Sequence, residues 1–122
     1  MGKRILLLVL VSFIVPLSAA DKMVETNLHD FMEKYTKPAF KLYKFTGEEK
    51  YVRKILEAVP GWAIESQRGK WQSMVDKALK TGELKESCGA CHRPYKKEYK
   101  NKYRKRPIMV SSELIRFLEG MK

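Results

Sequence analysis

Residues 85–95 read KESCGACHRPY, and within them lie both cysteines of the 122-residue chain, Cys88 and Cys91, with His92 directly after the second. Two thiols at this spacing followed by a histidine fit three chemistries. They make a dithiol redox pair, part of a metal site, or an attachment point for haem. The surroundings of the motif decide among them.

The chain opens with Lys3 and Arg4, then an apolar run from Ile5 to Val15, a Pro16 break and the small residues Ser18-Ala19-Ala20. That is the layout of a secretory signal peptide, cleaved between Ala20 and Asp21. The apolar run falls well short of the roughly 20 residues that cross a hydrocarbon core, and no cysteine follows the cleavage site to carry a lipid anchor. An exported, periplasmic protein of residues 21–122 is expected, long enough for one domain with one core. No second apolar run approaches spanning length, so no membrane span is expected after cleavage.

The formal net charge is +11. Without Lys3 and Arg4 the count is 23 basic against 14 acidic residues, a net of +9. Most of this excess, a net of +7, is concentrated in Arg93, Lys96, Lys97, Lys100, Lys102, Arg104, Lys105 and Arg106, opposed by Glu98. Such a run is either a solvated helix face or a docking surface for an acidic protein partner, whose encounter local charge accelerates. An exported protein rarely meets nucleic acid, so that partner is set aside.

After residue 20 the sequence shows almost no strand signal, and helical periodicity appears four times. Val24, Leu28, Phe31, Met32 and Tyr35 form the first stripe. Thr46-Gly-Glu-Glu49 resembles a capping box opening a second helix with Val52, Ile55, Leu56 and Val59, punctuated by Pro60-Gly61. Trp71, Met74, Val75, Ala78 and Leu79 mark the third, which stops near Thr81-Gly82, and Trp62 and Trp71 read as core. Leu84, Cys88, Cys91, His92, Tyr95, Tyr99 and Tyr103 share the fourth stripe. Pro38 and Pro94 fall inside helical patterns and are expected to kink or restart them. Four helices on short loops predict an all-α, antiparallel four-helix bundle over residues 21–106. A C-terminal tail follows at 107–122, with a short helix marked by Leu114, Ile115 and Leu118.

On this scaffold the three chemistries separate. A thioredoxin-like pair suits CGAC, but it needs a strand before the motif and βαβ units around it. Zinc takes four ligands, and beyond Cys88, Cys91 and His92 only His29 remains. C-x-x-C-H is the attachment signature of c-type haem. Each thiol adds across one vinyl group of the macrocycle, and His92 reaches the iron from the face to which the thioethers hold it. Export, the absence of other cysteines and placement on an amphipathic helix all agree with one covalently attached haem c.

The motif lies late in the chain. Cys88-Gly-Ala-Cys91-His92-Arg-Pro-Tyr95-Lys-Lys is similar to the C-x-x-C-H-x-x-[YF]-[RK] pattern on the fourth helix of class II c-type cytochromes, the cytochrome c′ family and its low-spin, methionine-ligated relatives. The resemblance covers about residues 21–105, and the segment from Arg106 on departs from it. It implies haem attached to the fourth helix of the bundle and lodged between helices, with Tyr95 at an aromatic position beside the macrocycle. It also implies His92 as proximal ligand and, in the low-spin members, a methionine of the first helix as distal ligand. Met32 matches that methionine. His29, three residues earlier, is the alternative ligand or a residue at the solvent boundary; Met74 reads as core, and Met23 lies too near the new terminus. Relatives often dimerise through their first two helices, so a homodimer is an expectation to test.

Three functions follow. An exported monohaem cytochrome with His92/Met32 ligation would carry single electrons between redox protein partners, the thioether raising the reduction potential relative to two histidines. A five-coordinate cytochrome c′-like protein would instead bind nitric oxide or carbon monoxide, with Met32 lining the distal side. A haem-free dithiol protein is the third. No glycine-rich phosphate loop, supported carboxylate pair or serine–histidine arrangement stands out, so the protein is not expected to be an enzyme.

Overall fold

The computed structural model describes residues 22–121, which are mostly helical with one small two-stranded sheet. The expected leader and its cleavage point lie outside the described residues. Strand β1 (Met23–Asn27) passes directly into helix α1 (Leu28–Phe31). Asn27 makes the switch. Its side-chain oxygen accepts the Asp30 N–H at 2.9 Å, and its amide donates to the Asp30 carboxylate at 2.8 Å, occupying a first-turn donor that no helical carbonyl reaches. Val24, counted above in the first helical stripe, therefore sits in a strand.

From α1 the chain continues through one π-helical turn (Met32–Thr36) into α2 (Lys37–Thr46), with right-handed helical backbone at each junction. The Lys37 N–H reaches back to the Met32 carbonyl, one residue further than an α-helix would. Pro38 supplies the reason for the widening. It has no N–H for the carbonyl four residues before it, and its ring crowds that carbonyl; a wider turn just upstream relieves the clash. Pro94 likewise sits inside its helix without ending it.

α2 ends at Gly47, whose φ of 77° lets its N–H bond the Tyr43 carbonyl at 2.8 Å. Thr46 Oγ1 donates to the Leu42 carbonyl and accepts the Glu48 N–H. The Thr-Gly-Glu stretch is thus a helix stop, and the expected capping box is not formed: Glu49 at the start of α3 (Lys50–Ala58) makes no side-chain cap. Thr81-Gly82-Glu83 repeats the device. Gly82 also has φ 77° and bonds the Ala78 carbonyl at 2.8 Å, while Thr81 Oγ1 bonds the Lys77 carbonyl and accepts the Glu83 N–H.

α3 buries Tyr51, Val52 and Ile55 and runs into a 3₁₀ turn, Val59–Trp62. α4 (Glu65–Thr81) returns along it, so that Arg53 near the start of α3 donates to the Leu79 carbonyl at 3.2 Å. α5 (Leu84–Lys102) then packs antiparallel along α4. Strand β2 (Pro107–Ser111) pairs antiparallel with β1, Met23 opposite Ser111 and Asn27 opposite Pro107, and leads into α6 (Ser112–Glu119). The expectation of no strands is overturned.

The ribbon alternates as a half-buried sheet should. Ile108 and Val110 point inward while Met109 is exposed. Ile108, Val110 and Leu118 join Phe31, Ile55, Trp62 and Leu84 in one core, so the segment beyond Pro107 is built into the same body as the helices before it. Two bonds clasp it there. The Trp62 indole donates to the Met109 carbonyl at 3.0 Å, and the Arg106 guanidinium donates to the Trp62 carbonyl at 2.7 Å.

Candidate functional site

Cys88, Cys91 and His92 stand at positions i, i+3 and i+4 of α5, which places them on one face of the helix. Both cysteines are free and half-buried, and His92 is exposed. The Cys88 thiol hydrogen-bonds the Leu84 carbonyl at 3.5 Å. Burial pushes the Cys88 thiol up from its ordinary value, and burial together with Cys88 raises Cys91. Both are therefore neutral thiols at neutral pH. A redox dithiol needs a depressed pKa at a helix N-terminus or beside a cation; this pair lies inside a helix that follows another helix. The geometry gives the thioredoxin-like reading no support.

Partial burial, and then the Lys96 ammonium one turn on, lower the His92 pKa from 6.5. Its ring is thus neutral at neutral pH, with a lone pair available to a metal. Among the described residues no three His, Cys, Asp or Glu side chains converge as a metal-binding group. His29, the fourth donor that a zinc site would need, lies at the Arg104 guanidinium, 3.4 Å from it. The donor set on α5 fits a porphyrin better than a bare ion, because the two thiols need only point to the same side and not to one centre.

Tyr95, one turn beyond Cys91, is half-buried with its ring centroid 5.7 Å from that of Trp71 on α4. Trp71 is in turn 5.0 Å from Tyr99, and Tyr99 is 5.2 Å from Tyr103. Four rings thus line the seam between the two helices and continue to the end of α5. The Tyr99 hydroxyl accepts the Ile64 N–H and donates to Gln67 Oε1, each at 3.0 Å. Trp71 Nε1, by contrast, is buried without a partner among the described residues, at a cost of about 1–3 kcal/mol for such a group. An acceptor arriving with a ligand would remove that cost. Nearer the start of α5, Met74 and Ala78 on α4 face Ser87 and Ala90 across a cavity of about 160 Å³.

The sequence-predicted residues are not all brought together. Cys88, Cys91, His92 and Tyr95 form one local group. Met32 lies in the π turn, half-buried against the core. His29, one turn before it, sits beside Arg104, whereas His92 is ten residues before the end of α5, about 15 Å along its axis. The fourth stripe is not uniformly buried: Leu84, Ser87 and Tyr99 are the buried residues of α5, and His92 is exposed. Sequence reasoning assigned Trp71 to the core and missed its place against Tyr95. The signal was there in Gln67, Trp71, Met74 and Ala78 at spacings of three and four on α4, and in Ser87, Cys91, Tyr95 and Tyr99 at spacings of four on α5, which runs the other way.

Most of the basic run lies exposed on α5 and just beyond it. Arg106 is the exception, committed to the Trp62 and Ala63 carbonyls. No described helix is long and apolar enough to cross a membrane. Comparison with models of protein families, with curated proteins and with solved structures finds no match for this chain.

Proposed function

We propose that this is an exported c-type cytochrome of the class II kind, a helical bundle with one haem on α5, carrying single electrons between redox proteins. The observation that carries this is the face of α5 on which two neutral, unpaired thiols and a neutral imidazole stand at i, i+3 and i+4. Cys88 and Cys91 would hold the group by thioether bonds, each sulfur bonding a vinyl carbon while the thiol hydrogen passes to the neighbouring carbon, with no net oxidation. His92 presents the proximal nitrogen. A porphyrin iron supplies a one-electron couple when bound. Tyr95 and Trp71 wall the site on the α4 side, and Arg93, Lys96, Lys97 and Lys100 surround its outer edge with positive charge that steers an acidic partner.

Met32 is the proposed sixth ligand. It is half-buried, on the one turn of the first helix that departs from α-geometry, and π turns are frequent at functional sites. One observation favours the five-coordinate alternative. The first helix begins beside Arg104, well along α5 from His92, so Met32 would need to close that offset to reach the iron. A vacant position would bind carbon monoxide or nitric oxide.

The visible spectrum of the holoprotein, produced with a haem-attachment system, tests both. Haem that resists acid–acetone extraction and a low-spin spectrum unchanged by carbon monoxide are expected for the carrier. A high-spin spectrum that responds to carbon monoxide would establish the gas-binding reading. A chain with two titratable thiols and no haem sinks both.

A further inference from the structure

We propose that the Trp71 indole N–H donates to a carboxylate of the porphyrin held at Cys88 and Cys91, a role that rests on the haem reading above. Trp71 is only 3% exposed, and its Nε1 has no hydrogen-bond partner among the described residues. Buried N–H groups in folded proteins are nearly always paired, so an orphan calls for a missing acceptor. The other indole of the chain obeys the rule: Trp62 donates to the Met109 carbonyl at 3.0 Å.

The acceptor missing at Trp71 has a definable chemistry. The rings of Tyr95 and Tyr99 flank the indole at 5.7 and 5.0 Å between centroids. The Tyr99 hydroxyl is already engaged with Ile64 and Gln67. A water in this place would need two to four polar partners, and aromatic faces are poor ones. Tyr95, whose ring meets the indole, lies one turn beyond Cys91 and His92 on α5. A porphyrin that binds iron through its four ring nitrogens keeps its two carboxylates as free acceptors, and a charged acceptor makes the stronger bond. Trp71 is thereby a positioning residue. It fixes the tilt of the macrocycle that the thioethers tether at its opposite edge.

Ultraviolet resonance Raman spectroscopy reads the hydrogen-bond state of an indole N–H, and visible resonance Raman reads the bending of the haem carboxylates. The full-length holoprotein is compared with the haem-free Cys88→Ala/Cys91→Ala chain, with Trp62 as the internal reference bonded in both. Expected is one indole band that shifts to the bonded position on haem attachment. In Trp71→Phe that band is absent and the carboxylate bending mode moves. Phenylalanine keeps ring packing against Tyr95 and Tyr99, and the comparison of the two tryptophan-containing forms does not require the variant to fold. A haem-loaded protein whose second indole stays unbonded overturns this proposal alone. A protein that takes up no haem overturns it together with the function on which it rests.

Discussion

His29 Nε2 lies 3.4 Å from the Arg104 guanidinium, so the first helix starts beside the end of α5. That contact engages His29 and sets the first helix, Met32 one turn on included, well along α5 from His92, so substitution at each residue decides between them as distal ligand.

In the holoprotein, Met32→Ala is expected to convert a low-spin spectrum into a high-spin one that takes up carbon monoxide. His29→Ala is expected to leave the spectrum unchanged and to shift stability by no more than about 0.5 kcal/mol, as for an exposed surface contact. The reverse pattern would assign the iron to His29 and remove Met32 from the site.

His92 carries a pH dependence in the haem-free chain. Its folded pKa is lowered by burial and Lys96, so the folded state favours the neutral ring. The associated stability is present above the ordinary histidine value of 6.5 and is lost as pH falls from there through the lower folded value. Urea unfolding of the Cys88→Ala/Cys91→Ala chain between pH 7 and 5 should show this decline. A His92→Gln derivative should show less of it; an unchanged slope would mean that the ring titrates as in the unfolded chain.

Gly47 and Gly82 have the same left-handed φ of 77°, and among the described residues beyond their chain neighbours neither has an atom within 4 Å of where a Cβ would stand. Substitution by alanine meets backbone strain and no clash. Each of Gly47→Ala and Gly82→Ala should therefore destabilise by about 1–2 kcal/mol, read from denaturant midpoints at unchanged slope. A neutral result at either site would show that the turn relaxes to another geometry.

Leu118 on α6 and Ile55 on α3 are each 1% exposed in one core. Leu118→Ala should cost about 2–5 kcal/mol, as Ile55→Ala should. A chain ending at Arg106 should lose cooperative unfolding, because Ile108 and Val110 go with the deleted segment. A truncated chain that melts as sharply as the parent would make the C-terminal segment an appendage.

The helices were legible where each carries its own pattern. Trp71, Val75 and Ala78 are buried on α4, and Tyr51, Val52 and Ile55 on α3, at the spacing that a period of 3.6 imposes. Thr-Gly-Glu is visible at both 46–48 and 81–83, yet with Glu49 following, the first has the pattern of a helix start. A threonine before a left-handed glycine closes a helix, and the recurrence after an apolar stripe was the available clue. The strands were less legible. Five residues such as Met23–Asn27 have too little alternation to stand out from a neighbouring helix.

The motif in residues 88–92 belongs to the local sequence: its spacing alone puts two thiols and an imidazole on one helical face, whatever the rest of the chain does. Helix periodicity and the two Thr-Gly stops are local in the same sense. Tertiary structure decided what meets that face. The β1–β2 pairing, the seat of His29 at Arg104 and the orphaned Trp71 indole beside Tyr95 all join residues far apart in the chain. No window of sequence encodes such contacts, because each is set by how the faces of several elements bury one another at once.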